Sequence, residues 1–312
     1  MKKILITSGD PAGIGPYLVV KTLTLLDLSK YPVTVIGSEA MLSKFTEFKQ
    51  IASKIKLINV NLSEPVSAGI PSAVSGKAAL KYIDKAIALL KEDKNCSLVT
   101  APVSKEAIKK TVPDFSGHTE YLAEKFSVNH VAMLMKGQKL KVVFLTRHLL
   151  LRNVSENLSQ EDIQKTLALT LNSLLDNFNI TQPKIAVCSF NPHAGIDTFL
   201  DREEKIILQA VNNLNQQNQK DYFTGPYPSD TLFSKAVNHQ FDLVAAVYHD
   251  QGMIPFKLFE FSRGVNLTLG LPFIRTSPAH GTAFDLVNQP QKIDCRSMQE
   301  AIITAGCLNH QA

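Results

Sequence analysis

The sequence predicts an α/β fold whose central sheet is largely parallel and doubly wound. Short apolar runs of strand length alternate with segments of helical periodicity along most of the chain, which is the pattern of strands joined by helices. The composition agrees, because the 312 residues are 45% hydrophobic and 20% charged, as in ordinary globular proteins. A chain of this length forms roughly two domains or one large α/β unit.

The N-terminal part begins with a buried strand at 3–8, a turn, and a helix that starts near Pro16. One long helix is predicted over 75–92, because apolar residues recur there on a single face. Those residues are Ala79, Tyr82, Ile83, Ala86, Leu89 and Leu90. Further strands are predicted at 33–37, 55–60 and 97–101.

The middle of the chain changes character at Gly137-Gln138, which two apolar runs at 130–136 and 139–146 flank as in an antiparallel hairpin. Ser159 and Ser229 are predicted N-caps of two of the helices that follow. The remaining elements are helix 160–178, strand 184–190, helices 201–216 and 229–239, strands 242–248 and 265–269, and helix 297–308. The inserted hairpin suggests one lobe of 1–115 plus 277–312 and a second of 116–276. We also expect the hairpin at 130–146 to be an exposed sheet edge, which suits pairing with a second chain across a two-fold axis.

The composition excludes several classes of function. Lys and Arg number 33 against 28 for Asp and Glu, a net charge of +5, and no basic stripe accompanies it, so we expect no nucleic-acid partner. Four dispersed cysteines form no C-x-x-C pair. The apolar run after Met1 is too short for a signal peptide, and no run is long enough to span a membrane. We expect a soluble, cytoplasmic protein.

Three histidines follow predicted strands: His148, His193 and His249. Ligands of open α/β sheets bind beyond the carboxyl ends of the strands. Three imidazoles brought together there suit a divalent transition ion and leave coordination positions for a substrate. Loop histidines engaged in ordinary hydrogen bonds explain the same positions, and the spacing does not decide between the two interpretations.

A second group is cationic and comprises Lys257, Arg263 and Arg275 on a glycine-rich stretch. Such side chains bind carboxylates or phosphates, although we expect one of the three to be an ordinary surface charge. His118-Thr119-Glu120 follows Ser116-Gly117 as a helix start, where free N–H groups favour an anion. A simple helix cap is the alternative. The turn of residues 9–16 is not a G-x-G-x-x-G motif, since Pro16 replaces the third glycine.

Several of these segments together resemble one family, the 4-hydroxythreonine-4-phosphate dehydrogenases of vitamin B6 biosynthesis. The matching segments occur in the family's order over nearly the whole chain. They are GDPAGIGP at 9–16, TAPVSK at 100–105, GHTE at 117–120, NPHAG at 191–195, GPYPSDT at 225–231, HDQG at 249–252 and GVNLTLGLPFIRTSPAHGT at 264–282.

The resemblance implies an isocitrate/isopropylmalate-dehydrogenase-like fold of two lobes, and a homodimer whose active site is shared between subunits. It also implies NAD and one divalent metal, Zn²⁺, Co²⁺ or Mg²⁺, as cofactors. The resemblance assigns His148, His193 and His249 as metal ligands, His118, Thr119, Lys257, Asn266 and Arg275 as substrate-binding residues, and His280, Gly281 and Thr282 as cofactor-binding residues. It places the metal, the substrate and the dimer contacts in the lobe of 116–276 and the cofactor-side loops in the other lobe. For catalysis we single out Lys257 and Asp250; Asp250, next to a metal ligand, would either accept a proton or support that ligand.

The implied reaction is oxidation and decarboxylation of 4-(phosphooxy)-L-threonine to 3-amino-2-oxopropyl phosphate. Dehydrogenation of D-threonate or D-erythronate 4-phosphate stays open, as does a non-catalytic metal- or phosphate-binding protein on the same scaffold. The resemblance does not decide which substrate is used, because the chain departs from the family pattern at Tyr17, Arg147, Ile196-Asp197 and Ala279.

Overall fold

The computed structural model describes residues 2–195 and 201–309, so the departure at Ile196-Asp197 lies outside the described residues. The chain forms two compact units. The first unit consists of the chain up to Asn129 together with the chain from Leu271 onward, and the second unit is His130–Gly270. The second unit is shorter at both ends than the predicted lobe of 116–276.

The two boundaries of the second unit follow from packing of the neighbouring segments in the first unit. Tyr121 packs on the buried cluster of Ala79, Ile108 and Phe115, which holds the segment around His118 in the first unit. Arg275 begins a strand that pairs in register with Leu98, also in the first unit.

The strands are named in chain order. They are β1 Lys3–Thr7, β2 Val33–Gly37, β3 Lys56–Asn59, β4 Cys96–Thr100, β5 Ala132–Lys136, β6 Lys141–Phe144, β7 Ile185–Cys188, β8 Phe223–Tyr227, β9 Leu243–Ala246, β10 Val265–Leu269 and β11 Arg275–Pro278.

The helices are named in the same way. They are α1 Gly15–Thr24, α2 Glu39–Leu42, α3 Phe48–Ile51, α4 Ala73–Glu92, α5 Lys105–Lys109, α6 His118–Lys125, α7 Gln160–Asn172, α8 Arg202–Asn218, α9 Ser229–Val237, α10 His249–Glu260 and α11 Arg296–Cys307.

The first unit carries parallel strands in the order β3-β2-β1-β4-β11. Strands β1, β2 and β4 are apolar along most of their length and nearly fully buried, as expected for parallel strands covered on both faces. Helix α4 begins with the Ser72–Ser75 capping box.

The turn at residues 8–16 is buried, and a Cβ on Gly9 would lie 2.4 Å from the Pro102 carbonyl oxygen. The absence of a side chain at Gly9 therefore allows the two chain segments to pack closely.

The second unit carries strands in the order β10-β5-β6-β9-β7-β8. The predicted hairpin is present, with Leu134 opposite Val143 and the Gly137 N–H donating to the Leu140 carbonyl oxygen at 2.8 Å. The prediction that this hairpin is an exposed sheet edge is wrong. Strand β5 pairs with β10 and β6 pairs with β9, so the hairpin lies inside the sheet of this unit.

Other elements differ in detail from the prediction. Ser159 caps helix α7 by accepting from the Asp162 N–H at 3.1 Å. The predicted helix 160–178 ends in a wider turn, Ser173–Asn177. Ser229 is the first residue of α9, whose N-cap is Pro228, so Ser229 is not the N-cap. Strands β8 and β11 and helix α10 are absent from the prediction. Within the part of the chain that the structure describes, no helix is long and apolar enough to cross a membrane.

Candidate active site

The second unit brings two of the three strand-end histidines together. His148 follows β6 and His249 is the first residue of α10, directly after β9. The centroids of their rings lie 5.7 Å apart, with the ring planes inclined at 42°. His148 has a φ of 48°, a left-handed backbone that is uncommon for a residue other than glycine and that concentrates at functional sites. Two imidazoles are thus presented side by side beyond neighbouring strands.

The His249 ring is held on two sides. Its Nδ1 lies 2.8 Å from Oδ1 of Asp250, and its ring stacks on Phe144 with a centroid distance of 5.8 Å. A carboxylate on one ring nitrogen fixes the orientation and the tautomer of an imidazole and leaves the other nitrogen as a ligand. Asp250 therefore positions His249, and its side chain is otherwise exposed.

His193 lies at a cavity of about 240 Å³ that Tyr248 and Gln251, the neighbours of His249 in the chain, also line. Its backbone is left-handed as well, with a φ of 57°. Among residues 2–195 and 201–309, no three His, Cys, Asp or Glu side chains form a group that could hold a metal ion. The structure thus pairs His148 with His249 and does not assemble the predicted three-histidine group within one chain.

Lys257 and Asn266 also belong to the second unit. Lys257 follows His249 on α10, its Nζ lies 5.3 Å from the centroid of the Phe261 ring, and burial lowers its pKa. A partly buried ammonium group of this kind is suited to binding an anion. Asn266 stands on β10 opposite Met135, and its Oδ1 is buried without a hydrogen-bond partner among the described residues. A buried polar atom of this kind is suited to a ligand.

In the first unit, Arg275 is 3% exposed and stands at the start of β11. Its Nη2 donates to Oγ1 of Thr100, the last residue of β4, at 2.6 Å. Burial lowers the pKa of Arg275 to about 10, and Glu120 opposes this shift. The guanidinium therefore remains charged at neutral pH, and a buried cation of this kind suits a carboxylate or phosphate ligand.

His118 and Thr119 form the first turn of α6, where the N–H groups of a helix have no carbonyl partner within it. The His118 Nε2 is buried and has no hydrogen-bond partner among the described residues. Burial, followed by the charges of Arg275 and Lys105, holds the pKa of His118 well below its ordinary value. A neutral histidine beside two cations marks a region of positive potential.

Lys105 is the residue of this region that the sequence did not single out. Lys105, Lys109 and Lys110 are all exposed, as on a solvated helix face. However, the Lys105 Nζ lies 3.1 Å from the position that a Cβ would take on Gly117, directly before His118. The TAPVSK motif that contains it was the available signal. Arg263, the other predicted cation, follows α10 in the second unit.

The predicted cofactor loop, His280–Thr282, belongs to the first unit. The His280 Nδ1 lies 3.2 Å from the Gly281 carbonyl oxygen. The Thr282 carbonyl oxygen accepts a hydrogen bond from the Ile14 N–H at 3.0 Å. A Cβ on Gly281 would meet no atom within 4 Å. One end of the loop is therefore anchored on the N-terminal turn, while Gly281 faces open space in which a ligand fits.

Comparison with known proteins decides the family. The sequence profile of the family described as pyridoxal phosphate biosynthetic protein PdxA matches residues 16–305. The chain belongs to the PdxA family. The resemblance inferred from the motifs is thereby confirmed.

Individual PdxA relatives match over most of their length. The chain is 40% identical to 4-hydroxythreonine-4-phosphate dehydrogenase of Desulforapulum autotrophicum, with 90% of this chain and 88% of the relative covered. It is 37% identical to D-threonate 4-phosphate dehydrogenase of Salmonella typhimurium, with 91% and 92% covered. The crystal structure of 4-hydroxythreonine-4-phosphate dehydrogenase from Klebsiella pneumoniae superposes with a TM-score of 0.84 at 36% identity, covering 98% of each chain.

These matches confirm the predicted fold class, an isocitrate/isopropylmalate-dehydrogenase-like α/β fold. They also place the chain among oxidoreductases of pyridoxal phosphate biosynthesis. The relatives carry two different substrate names at similar identity, so membership of the PdxA family does not by itself choose the substrate.

Proposed function

We propose that the protein is an NAD-dependent 4-hydroxythreonine-4-phosphate dehydrogenase that oxidises and decarboxylates 4-(phosphooxy)-L-threonine to 3-amino-2-oxopropyl phosphate. The observation that supports this most directly is the pairing of His148 with His249, 5.7 Å between ring centroids, in a chain that belongs to the PdxA family.

The imidazoles of His148, His193 and His249 would hold one divalent ion. Nitrogen donors suit Zn²⁺ or Co²⁺, whereas Mg²⁺ prefers oxygen ligands. When bound, such an ion lowers the pKa of a substrate hydroxyl and stabilises negative charge on its oxygen. Asp250 keeps the His249 ring in place through the contact at Nδ1. Lys257, whose pKa burial lowers, exchanges the proton of the reacting hydroxyl.

The substrate's anionic groups would be bound by charged and polar residues. Arg275 supplies a buried planar fork, and the start of α6 at His118 and Thr119 supplies N–H donors. Lys257 and Asn266 complete the substrate-binding set. Charge-assisted hydrogen bonds of this type each contribute about 1.5–3 kcal/mol, which is enough to select a phosphorylated substrate.

NAD, which accepts the hydride when bound, would lie against His280, Gly281 and Thr282. The open space at Gly281 allows close approach of the cofactor to the backbone. The hydrogen bond between the Ile14 N–H and the Thr282 carbonyl oxygen keeps that backbone in place.

The active enzyme would be a homodimer whose site is completed by the second subunit. His148 and His249 are adjacent within one chain, and among its described residues no group of three potential metal ligands is present. Helix α10, which begins at His249, exposes Ile254, Leu258 and Phe261 to solvent at 62%, 77% and 76%. Residues at this spacing share one helix face. An apolar face that starts at the metal site is suited to a second copy of the chain.

Dehydrogenation of D-threonate 4-phosphate is the second candidate function, because a relative of that name is 37% identical over 91% of this chain. The two substrates differ in an amino or a hydroxyl group at one carbon. A panel of both compounds, monitored at the absorbance of NADH with and without added Zn²⁺, Co²⁺ or Mg²⁺, tests the proposal. Turnover of the amino compound with the higher kcat/KM supports it, and exclusive turnover of the threonate compound contradicts it.

A further inference from the structure

The carboxylate of Glu204 is fully buried in the second unit, near the start of α8. It accepts three hydrogen bonds from two consecutive residues. Its Oε1 accepts from the N–H groups of Phe190 and Asn191 at 3.0 and 2.7 Å, and its Oε2 accepts from Nδ2 of Asn191 at 2.9 Å. A buried charge is costly unless hydrogen bonds satisfy it, so this arrangement requires a reason.

The donors belong to the segment that leads to His193. Phe190 and Asn191 directly precede Pro192-His193, and the Ser189 hydroxyl donates to the Asn191 carbonyl oxygen at 2.8 Å. The left-handed backbone of His193, with a φ of 57°, costs free energy and persists only where the surroundings hold it. Three hydrogen bonds on the adjacent residues provide that constraint.

The same segment is also tied to the helix that carries His249. The Gln251 Nε2 donates to the Ser189 carbonyl oxygen at 2.7 Å and to Oγ of Ser229 at 2.8 Å. Its Oε1 accepts from the Val247 N–H at 2.6 Å. Glu204 therefore holds Phe190 and Asn191. Gln251, in the first turn of α10, holds the preceding residue, Ser189.

We propose that Glu204 is a positioning residue that sets the place of the His193 imidazole for metal binding. The inference rests on the proposed metal site and adds to it a residue that contacts neither the metal nor the substrate. A carboxylate suits this task better than an amide, because all three partners are donors and a carboxylate has only acceptor oxygens.

The test is the substitution Glu204→Gln, measured as the affinity of the metal-free protein for Co²⁺ and the absorption spectrum of the Co²⁺ complex. The amide keeps the shape of the side chain but places an NH₂ group against the Asn191 Nδ2 donor or the backbone N–H groups. We expect Co²⁺ affinity to fall about 10- to 100-fold, as when the hydrogen-bond partners of metal ligands are removed. We also expect the spectrum to change, since the ligand geometry changes.

Glu203→Gln is the matched control. Glu203 is adjacent on the same helix, and its Oε1 accepts from the Ser155 hydroxyl rather than from the His193 segment. We expect this variant to bind Co²⁺ with wild-type affinity and the wild-type spectrum. If Glu204→Gln fails to fold, Asn191→Ala is measured in the same way. This variant removes one of the three hydrogen bonds to Glu204 and keeps the two backbone donors.

The outcomes separate the two proposals. Wild-type protein that binds no Co²⁺ contradicts the metal site itself, and this inference with it. Wild-type protein that binds Co²⁺ while Glu204→Gln binds it equally well, with only a lower Tm, contradicts the positioning role alone and leaves Glu204 a structural residue.

Discussion

Arg275 donates a hydrogen bond from Nη2 to Oγ1 of Thr100 at 2.6 Å, joining the start of β11 to the end of β4. These two strands are hydrogen-bonded neighbours of the parallel sheet in the first unit. A threonine hydroxyl fixes the guanidinium but does not neutralise it. The positive charge of Arg275 is therefore oriented in advance for an anionic ligand.

Arg275→Lys is expected to lower kcat/KM about 10- to 100-fold, although it keeps the positive charge. The ammonium group of lysine cannot reproduce the planar fork of the guanidinium, which binds an oxyanion through two parallel hydrogen bonds. Steady-state kinetics on the phosphorylated substrate measure the loss, which corresponds to about 1.4–2.7 kcal/mol of transition-state stabilisation.

A dephosphorylated analogue shows which group Arg275 binds. If wild type and Arg275→Ala differ as much on that analogue as on the phosphorylated substrate, Arg275 does not contact the phosphate. Thr100→Val serves as the companion variant, because it removes only the hydroxyl that orients the guanidinium. A loss of Tm in Arg275→Ala without a kinetic effect would make Arg275 a structural cation.

Removing the carboxylate beside His249 is expected to weaken metal binding. Asp250→Ala should raise the Kd for Zn²⁺ or Co²⁺ about 10- to 100-fold, because the imidazole loses the partner that fixes its orientation. His148→Ala and His249→Ala should remove the metal altogether. Metal content by mass spectrometry and Co²⁺ titration check these results, with the exposed Asp221→Asn as control. A His148→Ala variant with stoichiometric metal and a normal rate would make His148 a bystander.

His118 is expected to make the stability of the protein depend on pH in the acid range. Its pKa in the folded protein lies well below the ordinary value of 6.5, so below that pH the unfolded chain binds a proton that the folded chain does not. Stability is therefore complete above about pH 6.5 and decreases as the pH falls towards the folded pKa, by at most about 1.4 kcal/mol per pH unit for one proton.

The variant His118→Gln isolates this contribution. Since glutamine does not titrate, the Tm of wild type minus the Tm of the variant should decrease as the pH falls below about 6.5. His239→Asn is the control, because this histidine is exposed to solvent and asparagine tolerates its positive φ of 60°. A difference in Tm that is independent of pH would contradict the lowered pKa, because it would mean that His118 binds its proton equally well in the folded and the unfolded chain.

The cofactor loop is tested by filling the open space at Gly281. Gly281→Ala should not lower the Tm, because a Cβ at this position meets no atom within 4 Å and the unfolded chain loses conformational freedom. It should raise the KM for NAD about tenfold or more if the cofactor lies against the loop, while the KM for the phosphorylated substrate changes little. An unchanged KM for NAD would remove the loop from the cofactor site.

The sequence predicts most of the fold because its strands are apolar runs and its helices are amphipathic. It misses α10, since Gly252 and Pro255 interrupt the apolar pattern there and Ile254, Leu258 and Phe261 face solvent. Strand β11 is missed because Arg275 and Ser277 are buried polar residues in a strand. A prediction from hydrophobic periodicity places polar residues on an exposed face.

The proximity of His148 and His249 could be predicted from the sequence, because both follow strands, and these strands are neighbours in the sheet. Ser189 and Asn191, which precede His193 in the chain, are held by hydrogen bonds to Gln251 and Glu204, which no local pattern encodes. Lys105 is missed for a similar reason, since its proximity to Gly117 arises only from tertiary packing.

A charge on the exposed face of α10 is expected to separate the proposed homodimer. Leu258 is 77% exposed and lies between Ile254 and Phe261 on that face, so Leu258→Glu would place a carboxylate inside an apolar interface, where desolvation is costly. Multi-angle light scattering should show a dimer for wild type and a monomer for the variant.

If ligands from two subunits complete the site, the monomeric Leu258→Glu variant should also lose metal and activity together. Leu25→Glu is the matched control, because Leu25 is similarly apolar and exposed, at 54%, but belongs to the first unit. The control should remain dimeric and active. A wild-type protein that is monomeric and fully active contradicts the shared site, whereas a dimeric Leu258→Glu variant means that the subunits meet elsewhere, because a buried glutamate at the interface would not be tolerated.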